Sequence, residues 1–594
     1  MTAISNIASP FEKIEHIVTL QLLNQVIAIY DPKSEKHIQE IFNMITGLEQ
    51  SEFEISNTLQ KWNFVLPIYE DSIINNRVNI PKTAEIYFES QPGFKRYWSN
   101  ILSPTRDNCC NTSLRQPEFG KNVTIYACDG PKKYSLMKRR CAICENQYFP
   151  NYVLKSDALD YTDHESFRHI ILIFGIVGYS RELINRFDGD LLFKHSGFEA
   201  FQQSYAYELS INGLHDITHF DRRHFQLTWM FYKAAESMYK RGVHYVQIPF
   251  ERDIDLFLWN SLASALESFC DRWSRHVLNN PCGPQCSKVI VLDGHQKCTR
   301  RVCRFEDEYM ESTELGPIQT GCQFTPSYKS KYCELHQHLA SKTNTSFHED
   351  NLSDVSTEYE YDCEDQQSIV QKASSATKAT KKISDMNISI SVTEPMQTFD
   401  KEQASEEIFT NECETLKSKN ESKTKQRRSC GAIAAVFNCG IIFGLAELFR
   451  SESIKQVYQF MANIFDGRED LLPNVVCYDD ACHLSRFSWN TKKNVKHATK
   501  PSQKLAQMGF TVDKFHIKNH KDPWCLKHMD PYQHPAVDTV NTGACEQIFR
   551  WMALYKNIFR SLNHSRFMWM MMNVCELRNE HRLNDLFRKN KMKS

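Results

Sequence analysis

The sequence predicts a multidomain protein of mixed α+β or α/β class, with one mixed core sheet and cysteine-rich modules that bind zinc. The chain has 594 residues, enough for roughly three or four domains of ~150 residues each. Two short apolar runs, residues 289–292 and 475–478, have the composition of buried strands, and an aspartate follows each of them. The 21 cysteines are clustered with each other and with histidines, which is typical of metal ligands.

Composition and charge exclude several classes of protein. The net charge is −1, so any surface that binds nucleic acid must be local. The first residues lack a basic segment followed by an apolar core, so we expect no secretory signal. No uncharged apolar run approaches ~18 residues, so we expect neither a transmembrane helix nor a membrane partner. A reducing, intracellular location follows, where clustered cysteines bind metals more often than they form disulfides.

Residues 1–104 carry apolar residues at helical spacing and are predicted to form a helical N-terminal region. Residues 105–155 are predicted to form a zinc-ribbon-like module. Cys109 and Cys110 precede a β-hairpin, and Cys141 and Cys144 follow it. A zinc ribbon carries its two pairs of thiolate ligands on two turns around a hairpin in the same way. The alternative is a set of buried, reduced cysteines. The adjacent Cys109 and Cys110 depart from the usual two-residue spacing.

Residues 156–280 are predicted to be mainly helical and are a candidate DNA-binding region. Arg222, Arg223, Lys233 and Lys240 could contact a phosphate backbone. A solvated helix face explains them more simply, because charged residues ordinarily cover exposed helix surfaces.

Residues 281–339 are predicted to contain the first core strand and a zinc-binding insertion. Asp293 follows the apolar run 289–292 and is expected at the end of this strand, before a turn at Gly294. Four residues of the insertion have the spacing of a Cys₃His zinc site: Cys303, Cys322, Cys333 and His336. Cys282 and Cys286 could replace one of these ligands or bind another ion.

Residues 340–428 are predicted to be a disordered linker, acidic in its first half and basic in its second, because they contain few large apolar side chains. The basic run 423–428 could be a nuclear import signal or a solvated tail. Residues 429–594 are predicted to complete the core and to add C-terminal helices. Here a β-hairpin turns at 438–440, a helix begins on a serine cap, and the second acid-bearing strand follows.

The order strand, insertion, hairpin, helix and strand predicts an RNase H-like core, a mixed sheet with flanking helices. In this arrangement the first and fourth strands are neighbours, so Asp293 would face Asp479 or Asp480. Only one of Asp479 and Asp480 can face Asp293, because successive strand residues point to opposite faces of the sheet. The alternative is an aspartate that caps the following helix. Paired carboxylates repel each other unless a divalent cation such as Mg²⁺ or Mn²⁺ neutralises them.

Glu546 lies in the first turns of a predicted helix and could complete a two-metal site for phosphoryl transfer. Its alternative is an ordinary i,i+4 ion pair with Arg550. Between the second strand and this helix, a span of thirteen positions contains four metal-ligating residues: His516, His520, Cys525 and His528. A further zinc site and an ordinary loop are both compatible with them.

Several motifs together resemble the Kyakuja-Dileera-Zisupton (KDZ) transposases of eukaryotic mobile elements: LDGHQKCTRRVC, KYCELH, CGIIFGLAELFRSES, YDDACHL and NTGACEQIFRW. The segment around Cys109 to Cys144 resembles the cysteine-cluster module often joined to them. The resemblance implies an RNase H-like nuclease core with a DDE-type acidic triad and structural zinc. It also implies DNA transposition in the nucleus, with the DNA of element ends as partner and a homo-oligomer as one possible assembly.

By the same resemblance, Asp293 matches the first-strand acid, Asp479 the acid of a Tyr-Asp-x-Ala-Cys pattern, and Glu546 the second acid of the helix motif. Relatives often carry glutamate where this chain has Gly543, which leaves enzymatic activity open and makes Glu546 the substitute. The leading hypothesis is a metal-dependent transposase. The runner-up is a domesticated or decayed copy that binds DNA or proteins through its zinc modules, and a structure-specific nuclease is the third.

Overall fold

The computed structural model describes residues 100–343 and 428–591, with short gaps at 105, 156–157, 162–169, 174, 212–219, 241–242, 244–245, 250–252 and 280. The predictions for the helical region 1–104 and the linker 340–428 lie almost entirely outside the described residues. The chain divides into two units. The first contains residues 1–187, 198–232 and 242–252, and the second contains 188–197, 233–241 and 253–594.

In the part of the first unit that the structure describes, the chain forms eleven strands. They are β1 (Asn100–Leu102), β2 (Asn108–Cys109), β3 (Thr112–Ser113), β4 (Glu118–Ala127), β5 (Gly130–Arg140), β6 (Gln147–Tyr148), β7 (Val153–Leu154), β8 (Ala158–Tyr161), β9 (Ile170–Ile171), β10 (Val177–Ser180) and β11 (Val246–Pro249). Nine of them form one sheet in the order β11-β8-β7-β6-β5-β4-β10-β9, with β1 beside β5. The predicted hairpin is β4–β5, and the sheet continues across the predicted domain boundary at residue 155.

Three helices lie between β10 and β11 in the chain: α1 (Arg181–Lys194), α2 (Phe198–Ile211) and α3 (Arg222–Lys240). Phe187, Phe201 and Trp229 are fully or almost fully buried. Their rings pack edge to face, with centroids 5.1 Å apart for Phe187 and Phe201 and 5.5 Å apart for Phe187 and Trp229. Such aromatic packing explains why this aromatic-rich part of the sequence forms a core.

The second unit contains a five-stranded mixed sheet and one small hairpin. Its strands are β12 (Ile290–His295), β13 (Tyr309–Met310), β14 (Ile318–Gln319), β15 (Gly431–Phe437), β16 (Ile442–Leu448), β17 (Val475–Tyr478) and β18 (Gly509–Thr511). The order of the larger sheet is β16-β15-β12-β17-β18. β12, β15 and β16 are antiparallel to their neighbours in that group, whereas β12, β17 and β18 run parallel.

Helices surround this sheet in the second unit. They are α4 (Ile254–Ser274), α5 (His276–Asn279), α6 (Ile454–Phe465), α7 (Ala481–Trp489), α8 (Thr491–Asn494), α9 (Lys500–Gln507), α10 (Pro523–His528), α11 (Ala544–Met552), α12 (Lys556–Arg560) and α13 (His564–Lys591). Shorter 3₁₀ segments are Glu334–Thr343, Ile517–Asn519 and Ala553–Tyr555. Within the described part of the chain, no helix combines the length and apolarity that a bilayer crossing needs.

The predicted hairpin and helix cap in residues 429–465 are confirmed. β15 and β16 pair antiparallel on either side of the turn at 438–440. α6 begins after Ser453, whose side chain accepts a hydrogen bond from the backbone N–H of Gln456. A serine at this position satisfies a backbone donor that the helix itself leaves free. The turn residues at 438–440 and the serine cap are signals from neighbouring residues in the chain, and the hairpin and the helix lie at the predicted positions.

Strand β12 extends beyond the end that the sequence predicts. The apolar run stops at Leu292, but β15 pairs with β12 along its whole length, including Asp293 with Ala434. Parallel pairing with β17 ends at Leu292 and Tyr478. The prediction of a turn directly after Asp293 is therefore wrong, because a longer neighbour keeps the strand extended. Only the parallel pairing with β17 stops at Leu292, one residue before Asp293.

Candidate active site and metal centres

Asp293 and Asp479 stand where the parallel pairing of β12 with β17 ends, Asp293 within β12 and Asp479 directly after β17. Each directly follows the last parallel pair, Leu292 with Tyr478. Neighbouring strands lie about 4.8 Å apart, and residues in the same register point to the same face. The backbone carbonyl of Asp479 accepts a hydrogen bond from His520 Nε2 at 3.0 Å, which helps to fix the end of β17. The predicted side-by-side pairing of the two acid-bearing strands is confirmed.

Asp480 has a different set of contacts. It is buried, and its Oδ1 lies 2.5 Å from Nδ1 of His483. The hydrogen bond to Asp480 is the main cause that raises the pKa of His483 to about 10. Asp480 precedes α7, but its side chain makes no capping hydrogen bond. The interpretation of Asp480 as a helix cap therefore does not hold, because its carboxylate is used by His483.

Glu546 lies in the first turn of α11, which packs on β12 and β15. The neighbouring Cys545 Sγ lies 3.1 Å from the backbone oxygen of Val291 on β12. Oε1 of Glu546 lies 3.4 Å from Nδ1 of His516. Oε2 is buried and has no hydrogen-bond partner. Within the described residues no ion pair joins Glu546 to Arg550, which is exposed, so the simple i,i+4 alternative is not what the structure contains.

The pKa of Glu546 is raised, first by burial and then by the negative charge of Asp513, with a smaller contribution from Asp479. Asp513 and Asp479 therefore act on Glu546 through space. A carboxylate that is removed from water and surrounded by other acids is stabilised by a cation or by a proton. Burial, followed by the negative charge of Asp293, raises the pKa of the Cys545 thiol beside Glu546.

Asp513 and His516 complete this group, and sequence reasoning did not assign them to it. Asp513 is buried and accepts hydrogen bonds from the backbone N–H groups of Phe515 and His516, at 2.8 and 3.1 Å. Its Oδ2 lies 2.6 Å from His516 Nδ1, which raises the pKa of His516. A signal was present, because Asp513 follows the apolar strand β18 as Asp479 follows β17. We call Asp293, Asp479, Asp513, His516 and Glu546 the acidic cluster.

The four cysteines of the predicted zinc-ribbon-like module come together. Their sulfur atoms all lie within 4.8 Å of one another. Cys109 Sγ lies 3.6 Å from that of Cys110 and 3.5 Å from that of Cys144. Cys110 has a φ of 49°, and this left-handed turn brings the side chains of two adjacent cysteines to one site. Cys109, Cys110, Cys141 and Cys144 can therefore hold a metal despite their unusual spacing.

The predicted Cys₃His group of the insertion also converges. Cys333 Sγ lies 3.7 Å from Cys322 Sγ and 3.3 Å from His336 Nδ1. Cys303 Sγ lies 3.7 Å from the same ring nitrogen. The three cysteines are buried, and all four ligand atoms are within 4.8 Å of one another. Three sulfurs and one imidazole nitrogen at these separations fit tetrahedral zinc.

The structure divides the four ligand candidates that follow β18. His516 belongs to the acidic cluster, and His528 packs against the ring of Trp524. His520 and Cys525 instead converge with Cys482, and these three buried residues could hold a metal. His520 Nε2 contacts the carbonyl of Asp479, so the Nδ1 of a neutral His520 ring is the free acceptor, 3.8 Å from Cys482 Sγ. Sequence spacing could not include Cys482, which lies 38 positions from His520.

The basic residues of α3 have acidic partners. Lys233 is buried and its Nζ lies 2.5 Å from Asp188 Oδ2. Arg222 lies near Glu199, and Lys240 near Glu236. The sequence analysis favoured a solvated helix face, and Lys233 departs from it because this side chain is buried in an ion pair. DNA binding by this region stays a prediction.

Comparison with known proteins gives one finding. Residues 354–579 match the model of the Kyakuja-Dileera-Zisupton transposase family. No curated protein and no solved structure gives a significant match. The matched segment contains Asp479, Asp513, His516 and Glu546, whereas Asp293 precedes it. Asp293 is linked to the matched segment by the pairing of β12 with β15 and β17.

Proposed function

Because the chain carries a domain of the Kyakuja-Dileera-Zisupton transposase family, we propose that it is a DDE-type transposase. Its substrate is DNA, which it cleaves and joins at the ends of a mobile element, and chromosomal DNA as substrate implies action in the nucleus. Asp293, Asp479 and Glu546 are the catalytic residues, within an RNase H-like core. Zn²⁺ is a structural ion of the two cysteine-rich modules.

The observation that carries this proposal is the parallel pairing of β12 with β17. The last pair of this register is Leu292 with Tyr478, and the residue after each of them is an acid, although the two acids are 186 positions apart in the sequence. The strand order, with three antiparallel strands followed by two parallel ones, agrees with the RNase H-like expectation. Glu546 is presented by a helix that packs on β12, as the third acid of such a site must be.

The residues of the acidic cluster fit a divalent cation such as Mg²⁺ or Mn²⁺. Asp293, Asp479 and Glu546 would hold it through oxygen atoms, which these hard cations prefer. The buried Oε2 of Glu546 without a hydrogen-bond partner is the atom that a cation would satisfy. When bound, two such ions activate the attacking hydroxyl group and stabilise the leaving oxygen in phosphoryl transfer.

The protein's own residues prepare this site. β12 and β17 hold Asp293 and Asp479 on rigid backbone, so their carboxylates need little ordering when they bind. Glu546 is in the first turn of α11, where the helix dipole favours a negative charge. His516 lies between Asp513 and Glu546, and its raised pKa favours the protonated ring, which offsets part of the negative charge around it.

Gly543 supports a second candidate function, a decayed or domesticated transposase that binds DNA or proteins through its zinc modules. Gly543 stands where relatives often have glutamate, directly before α11. If catalysis in the family depends on that carboxylate, this chain lacks it.

Strand cleavage tests the proposal. Wild-type protein with Mn²⁺ should nick supercoiled plasmid and join a 3′-hydroxyl oligonucleotide to it. Asp293→Asn and Asp479→Asn should each lower both rates by about 100-fold or more, because an amide is a poorer ligand for a hard cation. Gel assays of nicked plasmid and of labelled joint product provide the measurement.

Asp470→Asn is the matched control, because Asp470 is an exposed aspartate outside the acidic cluster, and it should retain wild-type rates. Equal cleavage by wild type, Asp293→Asn and Asp479→Asn would exclude catalysis by these acids. An inactive wild type that still binds DNA would favour the decayed transposase.

A further inference from the structure

A second Cys₃His group lies in the second unit, and none of its residues belongs to the acidic cluster or to the two predicted zinc modules. Its members are His276, Cys282, Cys286 and Cys439, and their ligand atoms all lie within 4.8 Å of one another. We propose that they form a structural zinc site that joins the segment entering β12 to the turn of the β15–β16 hairpin. This proposal is independent of whether the acidic cluster is catalytic.

The distances around the histidine carry the proposal. His276 Nε2 lies 3.5 Å from Cys282 Sγ, 3.2 Å from Cys286 Sγ and 3.5 Å from Cys439 Sγ. Bonds of about 2.3 Å to sulfur and about 2.1 Å to nitrogen place tetrahedral S and N ligands about 3.6 Å apart. The three observed separations agree with this value.

Local structure presents each ligand from a different piece of chain. His276 opens α5, and its ring stacks over Phe437 with centroids 6.2 Å apart. Cys282 and Cys286 lie in a tight loop, closed by the hydrogen bond from Cys286 N to Gly283 O at 2.9 Å. Gly283 has a φ of 102°, a conformation that glycine adopts freely. Cys439 is in the turn between β15 and β16, more than 150 positions from the other three residues.

Asn438 shows that the hairpin turn and the segment before β12 are joined independently of any metal. Its Oδ1 accepts hydrogen bonds from the backbone N–H groups of Lys288 and Val289, at 2.8 and 3.2 Å. Its Nδ2 donates to the carbonyl of Gln285 at 2.7 Å. The adjacent Cys439 is thereby held against the Cys282–Cys286 loop, so little ordering is needed when the four ligands bind an ion.

The distance of this group from Asp293 and its four protein ligands indicate a structural zinc site rather than a catalytic one. Cys439 lies beyond Phe437, which pairs with Ile290 at the start of β12, whereas Asp293 pairs with Ala434. Asp293 is three residues from Ile290, which is about 10 Å along an extended strand. His276 and Cys286 are buried. Four protein ligands close a tetrahedral zinc site and leave no position for water or substrate, as in other structural zinc sites.

Thiol protection tests the site in the wild-type protein. Cys282, Cys439 and Cys128 are all partly exposed, and Cys128 belongs to the other unit and lies outside this group. Native protein is treated with N-ethylmaleimide, and the labelled cysteines are identified by peptide mass spectrometry. We expect Cys128 to react while Cys282 and Cys439 are protected at least about tenfold, because a zinc-bound thiolate is a poor nucleophile until a chelator removes the metal.

Zinc content of variants provides the second measurement. Cys439→Ser should lose about one zinc per chain, whereas Cys439→His should keep it, because histidine is also a zinc ligand. Cys128→Ser is the control with unchanged zinc content.

The proposal is overturned if Cys282 and Cys439 react as fast as Cys128 before chelation, or if a disulfide joins any two of the three cysteines. A folded Cys439→Ser variant with the full wild-type zinc content would also overturn it.

Discussion

At the scale of single residues, the surroundings of Glu546 decide what this chain can bind. Its Oε2 is buried without a hydrogen-bond partner, and burial, followed by the charges of Asp513 and Asp479, raises the pKa of this carboxyl group. An ordinary helix-surface glutamate would have neither property. The Glu546 side chain is therefore suited to binding a cation. Gly543, three residues earlier, has no carboxylate that could act as a second ligand for that cation.

The variant Gly543→Glu tests whether a carboxylate at position 543 increases catalytic activity. A Cβ at position 543 would lie 3.5 Å from Glu546 Oε2, which is ordinary contact, and the backbone there needs no glycine. We expect the substitution to raise Mn²⁺-dependent cleavage by about tenfold, because an added carboxylate ligand strengthens ion binding.

Gly543→Gln is the matched control, since it adds a similar volume without charge and should leave the rate near that of the wild type. A decrease with glutamate, or an equal increase with both variants, would contradict a missing catalytic carboxylate at this position.

His564 gives a prediction about pH. Its ring packs edge to face against Trp259 and Phe324, with centroids 5.0 and 4.8 Å away. Burial, followed by the nearby charge of Arg300, lowers its pKa to about 3. Because the unfolded histidine, with a pKa of about 6.5, takes up its proton first, stability is lost as the pH falls below that value, by up to ~1.4 kcal/mol per pH unit.

His564→Asn should therefore show a smaller loss of unfolding free energy between pH 6 and pH 4 than wild type, as measured by urea denaturation. His497→Asn changes an exposed histidine and should follow the wild-type pH dependence. Parallel pH curves for all three proteins would show that His564 is not the source of acid sensitivity.

At the scale of elements, the zinc-binding insertion is tied to the core sheet by a buried ion pair. Arg300 precedes Cys303 in the insertion, and its Nη2 lies 2.9 Å from Glu447 Oε2 on β16. The same Nη2 donates to the carbonyl of Gln323 at 2.7 Å. Both side chains are almost fully buried, and Glu447 Oε1 has no hydrogen-bond partner. This ion pair positions the insertion on the sheet. Removal of the Arg300 side chain would leave the charge of Glu447 buried without its partner.

Arg300→Met should lower the free energy of unfolding by roughly 3–5 kcal/mol, because it leaves Glu447 buried without its cation. The double variant Arg300→Met/Glu447→Leu should recover most of that loss, since replacing both charges removes the uncompensated group. Chemical denaturation of the three variants provides the measurement.

Arg301→Met is the control for this pair, because Arg301 is exposed and should change stability by only about 0.5 kcal/mol or less. A double variant that is no more stable than Arg300→Met alone would show that the loss comes from other contacts of Arg300.

At the scale of the whole molecule, both units contain a group of four ligands that the sequence predicts. Cys109, Cys110, Cys141 and Cys144 lie in the first unit, and Cys303, Cys322, Cys333 and His336 lie in the second. Neither unit depends on the other for the ligands of its site, so zinc loss should follow each site separately.

Cys141→Ser and Cys322→Ser should each lose about one zinc per chain relative to wild type, and the double variant should lose about two, because a structural site needs all four ligands. Elemental analysis of the purified proteins provides the measurement. Full zinc content in either single variant would exclude zinc at that site.

Local sequence signals were sufficient to predict individual strands, caps and ligand groups. The apolar run Val475–Tyr478 forms β17 with the same bounds, and Ser453 caps α6. The cysteine spacings around 109–144 and 303–336 indicated two groups whose ligand atoms do come together. Each of these depends on residues near one another in the chain, where periodicity and turn chemistry suffice.

Contacts between residues far apart in the chain could be read only from the folded protein. β12 continues past Asp293 because β15 pairs with it, His516 joins the acids because α11 brings Glu546 to it, and Cys439 reaches His276 because the hairpin folds back on the segment before β12. The physical reason is that strand register and helix packing across long insertions are set by cooperative burial of the whole core, which no short stretch of sequence contains.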